Sequence, residues 1–211
     1  SNGDLLGELP VSNKDEVANT LNQAKVAGKR WRQRSISARV NAIKAAYAHM
    51  EGDADRLSQL LSQEMGKDIR RATGEVSGAI HSSAYLADEA MSALQTRNLG
   101  HGTELHYRAL GVVAVISPWN YPVMMANNLI VPALIAGNSV ILKPSEETPL
   151  IAQAFFEYLN QHLPEGVFNI LHGDGEVGAL LVDSDVDLIA FTGSQAVGKK
   201  IMARAAPQLK R

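Results

Sequence analysis

Cysteine is absent from this chain of 211 residues. Its absence excludes disulfides, thiolate zinc sites and a cysteine nucleophile among these residues. Metal-binding motifs are missing too, because none of the six histidines forms H-E-x-x-H or pairs with a neighbouring carboxylate at helical spacing. We therefore expect structural or surface histidines and no metal site.

Long hydrophobic runs and a strong net charge are also missing. The longest apolar stretches are interrupted by Asn or Gly and are too short to span a bilayer. The formal net charge of −2 gives no electrostatic reason to expect binding to nucleic acid or to an anionic membrane. No signal-peptide pattern precedes the first predicted helix, so we expect a cytoplasmic protein. A hydrophobic fraction of 45% is enough for a sizeable core.

The first hundred residues have a mostly helical pattern. We predict one helix that opens at residues 12–16, a second from about Ser37, a third that stops at Gly66, and a fourth over about 68–94. The sequence Gly100-His101-Gly102 then breaks the helical pattern. Residues 103–109 are predicted to form an extended strand.

From residue 111 onward, strand and helix patterns alternate. The predicted strands are 111–116, 139–143, 167–171 and 187–192, and the predicted helices are about 123–136, 149–162, 176–182 and 195–206. Continuous apolar strands separated by such helices indicate a parallel sheet covered on both faces. We therefore predict an α/β fold in which a helical segment (1–100) and a connecting strand segment (101–110) precede a Rossmann-like core (111–211). Because another strand is due near Arg211, we expect the fold to continue beyond this chain.

The motif ISPWNYP (116–122) places Asn120 just beyond a buried strand. Open α/β sheets bind ligands at the carboxyl ends of their strands, where an asparagine amide can donate to a developing oxyanion. Alternatively, Asn120 caps the helix that begins near Pro122, and Trp119 fills a gap.

The motif ILKPSEETPL (141–150) places Lys143 at the carboxyl end of the next strand. Lys143 and Glu146 supply donors and an acceptor that could hold the two hydroxyls of a ribose, or they are solvated loop charges. Thr148-Pro149 is predicted to cap and begin the following helix.

The motif AFTGSQAVGKK (190–200) predicts a strand that ends at Phe191-Thr192, a tight turn at Gly193 and a helix that begins at Ser194. Free backbone N–H groups, a positive helix end and a serine hydroxyl suit a phosphate. A Walker A motif would need Ser or Thr at position 200, where this chain has Lys200, so nucleotide hydrolysis is disfavoured. A Ser-His-Asp hydrolase is disfavoured as well, since no G-x-S-x-G occurs.

The order PWNYP, LKPSEETP and FTGSQAVG resembles the NAD(P)-dependent aldehyde dehydrogenase superfamily. The resemblance extends through GELPVSNKDEV, AGKRWRQRSISAR and QEMGKDIRRATGEV, and so covers essentially the whole chain. It implies oxidation of an aldehyde to a carboxylic acid through a cysteine thioester, with NAD or NADP as cofactor. NAD is slightly favoured because Glu146 would repel a 2′-phosphate, although Lys143 and the small Ser145 could accommodate one.

The resemblance also implies roles for individual residues. Asn120 would be the catalytic oxyanion donor, and Lys143 with Glu146 would hold the adenosine ribose near Ser145. Ser194 would contact the pyrophosphate. The remaining implied positions are the nicotinamide-side wall (Ser117, Pro118, Trp119) and the substrate tunnel (Tyr121, Met124, Met125, Asn128). The residues of the turn into the last helix are further expected to bind the cofactor (Phe191, Thr192, Gly193, Val197). Tyr121 stands where the family often has phenylalanine.

The family's nucleophilic cysteine and general-base glutamate follow the FTGS turn and are absent here. We therefore expect only the amino-terminal, cofactor-binding portion of such an enzyme, inactive alone, whose intact form is a homodimer or homotetramer. An acylating or semialdehyde-specific member of the superfamily stays open, as does a non-catalytic dinucleotide-binding module.

The stretch HGDGEVG (172–178) contains G-x-G-x-x-G after a predicted strand. A hydroxyacid-type dehydrogenase that used this fingerprint would place the pyrophosphate at Gly173–Gly178. The fingerprint belongs after the first strand of a nucleotide-binding unit, whereas this turn follows the third. We therefore predict that Gly173 and Gly178 let a helix lie against the sheet and line the adenine cleft.

Overall fold

Four helices form the amino-terminal part of the chain in a computed structural model that describes residues 3–211. They are α1 (Lys14–Trp31), α2 (Ile36–Glu51), α3 (Ala54–Met65) and α4 (Ile69–Ala93). The first begins with a capping box, because the side chain of Asn13 accepts from the amides of Asp15 and Glu16 while Glu16 accepts from the Asn13 amide at 2.7 Å. The predicted helices are confirmed, including the end of α3 at Gly66.

An exposed hairpin connects these helices to the rest of the chain. Its strands β1 (Arg97–Gly100) and β2 (Thr103–Leu105) are antiparallel and pair only with each other among the described residues. The predicted strand over 103–109 contains β2 but is too long, and β1 lies after the fourth predicted helix, where no strand was predicted. Neither strand buries a residue, so neither has the apolar alternation that marks a half-buried strand.

The second half of the chain forms a four-stranded parallel sheet. Its strands are β3 (Val112–Ile116), β4 (Ser139–Lys143), β5 (Phe168–Ile170) and β6 (Leu188–Phe191), in the order β5-β4-β3-β6. The strands are followed in turn by α5 (Pro122–Ile135), α6 (Pro149–Asn160), α7 (Gly175–Asp183) and α8 (Gln195–Ala205), and a short 3-10 helix spans Ala206–Gln208. The strand order reverses beside β3, so the crevice between β3 and β6 is the position at which such sheets bind ligands.

Helices cover both faces of this sheet, as the sequence predicts. Val113 and Val115 of β3 belong to the large core that includes α2, α4, α5 and α6, whereas Val112 and Ala114 face α1 and α7. The helix α1 packs directly on β4, while α2, α3 and α4 pack outside α5 and α6. Within residues 3–211, no helix combines the length and the apolar character needed to cross a membrane.

Candidate functional site

Three of the sequence motifs meet at the carboxyl edge of the sheet. In the parallel register Ile116 at the end of β3 is paired with Lys143 of β4 and with Phe191 of β6. The segments that follow these residues therefore leave the sheet side by side. Two backbone bonds join them, from the Ser117 amide to the Lys143 carbonyl at 3.3 Å and from the Thr192 amide to the Ile116 carbonyl at 3.1 Å.

The segment after β3 exposes Asn120 at this edge. The alternative in which Asn120 caps α5 is wrong, because the residue before the helix is Tyr121 and no side chain of the segment caps it. Within the described part of the chain the Asn120 side chain has no hydrogen-bond partner, which leaves its amide free to donate. Trp119 is 53% exposed and does not fill a gap in the core. Ser117 is buried, and its hydroxyl has no partner among the described residues.

The four residues predicted to border a substrate tunnel lie at the start of α5. Tyr121 and Asn128 are exposed, and Met124 and Met125 are partly buried. Met124 packs against α4 at Gly78, where an added Cβ would come within 2.8 Å of the Met124 Cε. The helical pair α4 and α5 therefore forms one side of the region around Asn120.

A buried ion pair, which the sequence analysis missed, anchors this segment. The carboxylate of Glu75 on α4 accepts from the amides of Val123 and Met124 at 3.0 and 3.2 Å, and so caps α5. The Lys67 ammonium contacts Glu75 and donates to the Asn120 carbonyl at 2.8 Å. The two side chains are only 9% and 0% exposed. The sequence signal was the place of Glu75 in the apolar row of α4 with Ala72 and Val76.

The segment after β4 brings Lys143 and Glu146 together. The Lys143 ammonium is 3.2 Å from the Glu146 carboxylate, and Lys143 is buried whereas Glu146 is exposed. Partial burial acts to raise the pKa of Glu146, but its own backbone amide and the charge of Lys143 outweigh that effect, so its pKa is lowered. The carboxylate is thus held ionised beside a cation. Ser145 is partly buried, and its hydroxyl accepts from the Glu147 amide at 3.3 Å.

The start of α6, like that of α5, is capped by a carboxylate that is distant along the chain. Glu64 of α3 accepts from the amides of Leu150 and Ile151 at 2.6 and 2.9 Å. Burial raises the pKa of Glu64, although these two amides act in the opposite direction. Thr148 is the N-cap residue and Pro149 begins α6, as predicted, but the buried Thr148 hydroxyl has no partner among the described residues and so caps no amide.

The segment after β6 makes a tight turn into α8. The hydroxyl of Ser194 accepts from the Val197 amide at 3.3 Å and forms the N-cap, and Ser194 and Val197 are exposed. At Gly193 an added Cβ would stand 2.5 Å from the ring of Phe191, so a larger residue would displace the turn or the ring. The first turn of α8 contains no acidic residue. The helix therefore begins with a neutral cap at an exposed, positive end.

The turn after β5 contains HGDGEVG. Gly173 has φ of +143°, and an added Cβ would stand 2.4 Å from Val177 of α7, so this position requires glycine. Gly178 has open space around its Cα, and no contact there requires glycine. Asp174 caps α7 through the Glu176 amide at 2.8 Å. Two carboxylates thus stand at the start of α7, where they repel an anion.

The described residues form no metal centre, and one cavity lies far from the motif edge. Among residues 3–211, no group of three or more His, Asp or Glu side chains is placed to hold a metal ion. A cavity of about 240 Å³ lies at the opposite edge of the sheet, beside Lys25, Gly111 and Ser139. None of the predicted site residues lines it.

Comparison with known proteins gives one family. The model of the aldehyde dehydrogenase family matches residues 1–211. A 3,6-anhydro-alpha-L-galactose dehydrogenase of Streptomyces coelicolor is 34% identical, and the match covers 99% of this chain and 44% of that protein. The chain thus spans less than half of the length of this curated relative.

Solved structures give the same result. The NADP-dependent glyceraldehyde-3-phosphate dehydrogenase of Bacillus halodurans, in complex with NADP, is 33% identical, with a TM-score of 0.91 over 97% of this chain and 45% of its own. An NAD-dependent aldehyde dehydrogenase from Sinorhizobium meliloti is 31% identical, with a TM-score of 0.90 over 96% of this chain and 42% of its own.

Proposed function

Because the chain belongs to the aldehyde dehydrogenase family, we propose that it is the cofactor-binding portion of an NAD(P)-dependent enzyme that oxidises an aldehyde to a carboxylic acid. The observation that carries this proposal is the meeting of Asn120, the Lys143–Glu146 pair and the Ser194 turn at one edge of the sheet. An amide donor, a pair suited to a ribose and an exposed helix end are what dinucleotide-dependent chemistry at this edge requires.

The residues at this edge fit a dinucleotide. The exposed N-terminus of α8 offers backbone N–H groups and the Ser194 hydroxyl to a pyrophosphate. Glycine at position 193 keeps this turn tight, because an added Cβ would stand 2.5 Å from the Phe191 ring. The Ser117 hydroxyl, buried and without a partner among the described residues, offers a further hydrogen bond. Pro118, Trp119, Ser145, Thr192 and Val197 complete the proposed cofactor surface, and Gly173 and Gly178 border the adenine cleft. The cofactor, when bound, accepts a hydride from the substrate.

We propose NAD as the preferred cofactor. Glu146 is exposed and has a lowered pKa, so its negative charge would face a 2′-phosphate and repel it. The Lys143 ammonium lies 3.2 Å from the Glu146 carboxylate, so the positive charge of Lys143 is already partly compensated and attracts a 2′-phosphate less. The structures compared above include one enzyme described as NADP-dependent and one described as NAD-dependent, so turnover has to be measured with each cofactor.

Asn120 is proposed to act on the substrate itself. Its free amide would donate to the oxygen that gains negative charge when a nucleophile attacks the aldehyde carbonyl. The nucleophile cannot be a cysteine of this chain, which has none, so we propose that the cysteine and the general base belong to a further part of the intact protein. The 211 residues alone are then expected to be inactive. Tyr121, Met124, Met125 and Asn128 are proposed to border the aldehyde. A cytoplasmic location and assembly into a homodimer or homotetramer stay predictions.

The proposal is tested with the full-length gene product and the variant Asn120→Ala. The wild type should form NADH when an aldehyde is added, and the variant should lose about 100- to 1,000-fold in kcat, with a much smaller change in cofactor affinity. Asn41→Ala, on the exposed face of α2, is the control and should retain wild-type turnover. An Asn120→Ala enzyme with unchanged kcat would contradict the oxyanion role. A wild type that binds NAD but oxidises no aldehyde would favour the non-catalytic module.

A further inference from the structure

The segment between β3 and α5 is held at two points by one buried ion pair. Lys67 donates to the carbonyl of Asn120 at 2.8 Å, and Glu75 binds the first amides of α5, those of Val123 and Met124. The two anchors lie on either side of Tyr121. The side chain of Asn120, in contrast, has no anchor of its own within the described residues. The anchors therefore fix the backbone from which the Asn120 side chain projects.

Because the pair is buried, each of its charges depends on the other. Glu75 is fully buried and Lys67 nearly so, and each satisfies the other as well as a backbone group. A charge in this position is stable only while its partner is present, because removal of either leaves an uncompensated buried charge. The Lys67 ammonium also lies 4.1 Å from the centre of the Tyr121 ring, which adds a cation–π contact to the same segment.

From this arrangement, and resting on the proposed function of Asn120, we infer that Lys67 and Glu75 are positioning residues that aim the Asn120 amide at the reacting carbonyl oxygen. No hydrogen bond or ion pair joins them to the Lys143–Glu146 pair or to the Ser194 turn among the described residues. Their removal should therefore impair turnover and leave cofactor binding largely intact. A misplacement of about 1 Å in a donor of this kind lowers rates by up to about 100-fold.

The test uses the full-length protein with Lys67→Met, Glu75→Gln and the double variant, in which no unpaired charge is buried. Each should lower kcat by about 10- to 100-fold, while the KM for the cofactor changes by less than about threefold. Lys67→Arg, which can still reach both the carboxylate and the carbonyl, should recover part of the loss. Ser35→Ala removes the N-cap of α2 and is the control for general destabilisation, with kcat expected to stay at the wild-type level.

A double-mutant cycle with Asn120→Ala separates positioning from a general structural role. If the pair acts through Asn120, Lys67→Met should have little further effect on kcat in the Asn120→Ala background. Equal losses in both backgrounds, or a loss that appears in the cofactor KM instead of kcat, would overturn the inference.

Hydrogen exchange tests the anchoring of α5 by the ion pair without relying on the proposed catalytic function. The amides of Val123 and Met124 should exchange faster in Glu75→Gln than in the wild type, while those at the start of α6 should not change. A wild type that is inactive on aldehydes would overturn the proposed function, and with it the aim assigned to Asn120. Unchanged exchange in Glu75→Gln would overturn the anchoring by the pair whether or not the enzyme is active.

Discussion

The four helices that follow the strands of the sheet begin in two different ways. α5 and α6 both start with proline and have no cap of their own, and their first amides are bound by Glu75 and Glu64 from the amino-terminal helices. α7 and α8 start on side chains that immediately precede them, Asp174 and Ser194. The amino-terminal segment therefore supplies the caps after the two central strands, β3 and β4, and the local sequence supplies them after the two edge strands, β5 and β6.

This difference explains which side chains are free at the sheet edge. Because α5 is capped by a distant carboxylate, Asn120 is not needed at the helix end and its amide stays free. The same holds for the segment before α6, where Lys143 and Glu146 pair with each other and Glu64 binds the helix amides. At α7 and α8 the capping side chain also determines whether the start of the helix carries a negative charge. The Asp174 carboxylate repels anions from the start of α7, whereas the neutral Ser194 hydroxyl leaves the start of α8 able to bind an anion.

The largest expected effect is on stability. Glu64→Ala would leave two amides of α6 without partners, each at a cost of about 1–3 kcal/mol, so we expect a loss of about 2–4 kcal/mol in the free energy of unfolding. Asp174→Ala removes a local, exposed cap and should cost about 1 kcal/mol. Urea unfolding of both variants measures the contrast. Equal losses would show that the distant cap is no more important to the fold than the local one.

The second prediction exchanges the charges at the starts of α7 and α8. Ser194→Asp should weaken binding of NAD by about tenfold or more, since an added carboxylate would face the proposed pyrophosphate site at an exposed helix end. Asp174→Ser, the matched exchange at α7, should leave the affinity nearly unchanged. Calorimetric titration of the full-length protein with NAD measures both affinities. A change in NAD affinity in Asp174→Ser that exceeds the change in Ser194→Asp would assign the pyrophosphate to HGDGEVG instead.

The parallel sheet and the places of its motifs could be predicted because they follow from local patterns. Buried strands are continuous apolar runs, and parallel strands bring their carboxyl ends to one edge, so Asn120, Lys143 and Ser194 could be placed together from the sequence. Of the exposed β1–β2 hairpin only β2 was predicted, within a strand that is too long, because the hairpin buries nothing and has no such pattern.

The distant caps could not be predicted from local rules. Cap rules consider only the residues beside a helix, and they assigned Thr148 to α6 and offered Asn120 for α5. The actual partners are 48 residues from Val123 and 86 residues from Leu150 along the chain. A buried carboxylate in an apolar helical row, as at Glu75 in α4, indicates that some distant donor must exist, but only the fold identifies that donor.

The smallest expected effect concerns His172, which lies in the turn between β5 and α7. Burial and, to a lesser degree, the charge of Lys143 lower the pKa of His172 from its ordinary value of 6.5. Below about pH 6.5 the unfolded chain therefore takes up a proton before the folded chain does, so the free energy of unfolding falls as the pH decreases. His172→Gln should flatten this decline in urea unfolding between about pH 7 and pH 5. An NMR titration of Lys143→Met should show a higher His172 pKa than in the wild type. An unchanged pKa would mean that the charge of Lys143 does not act on His172.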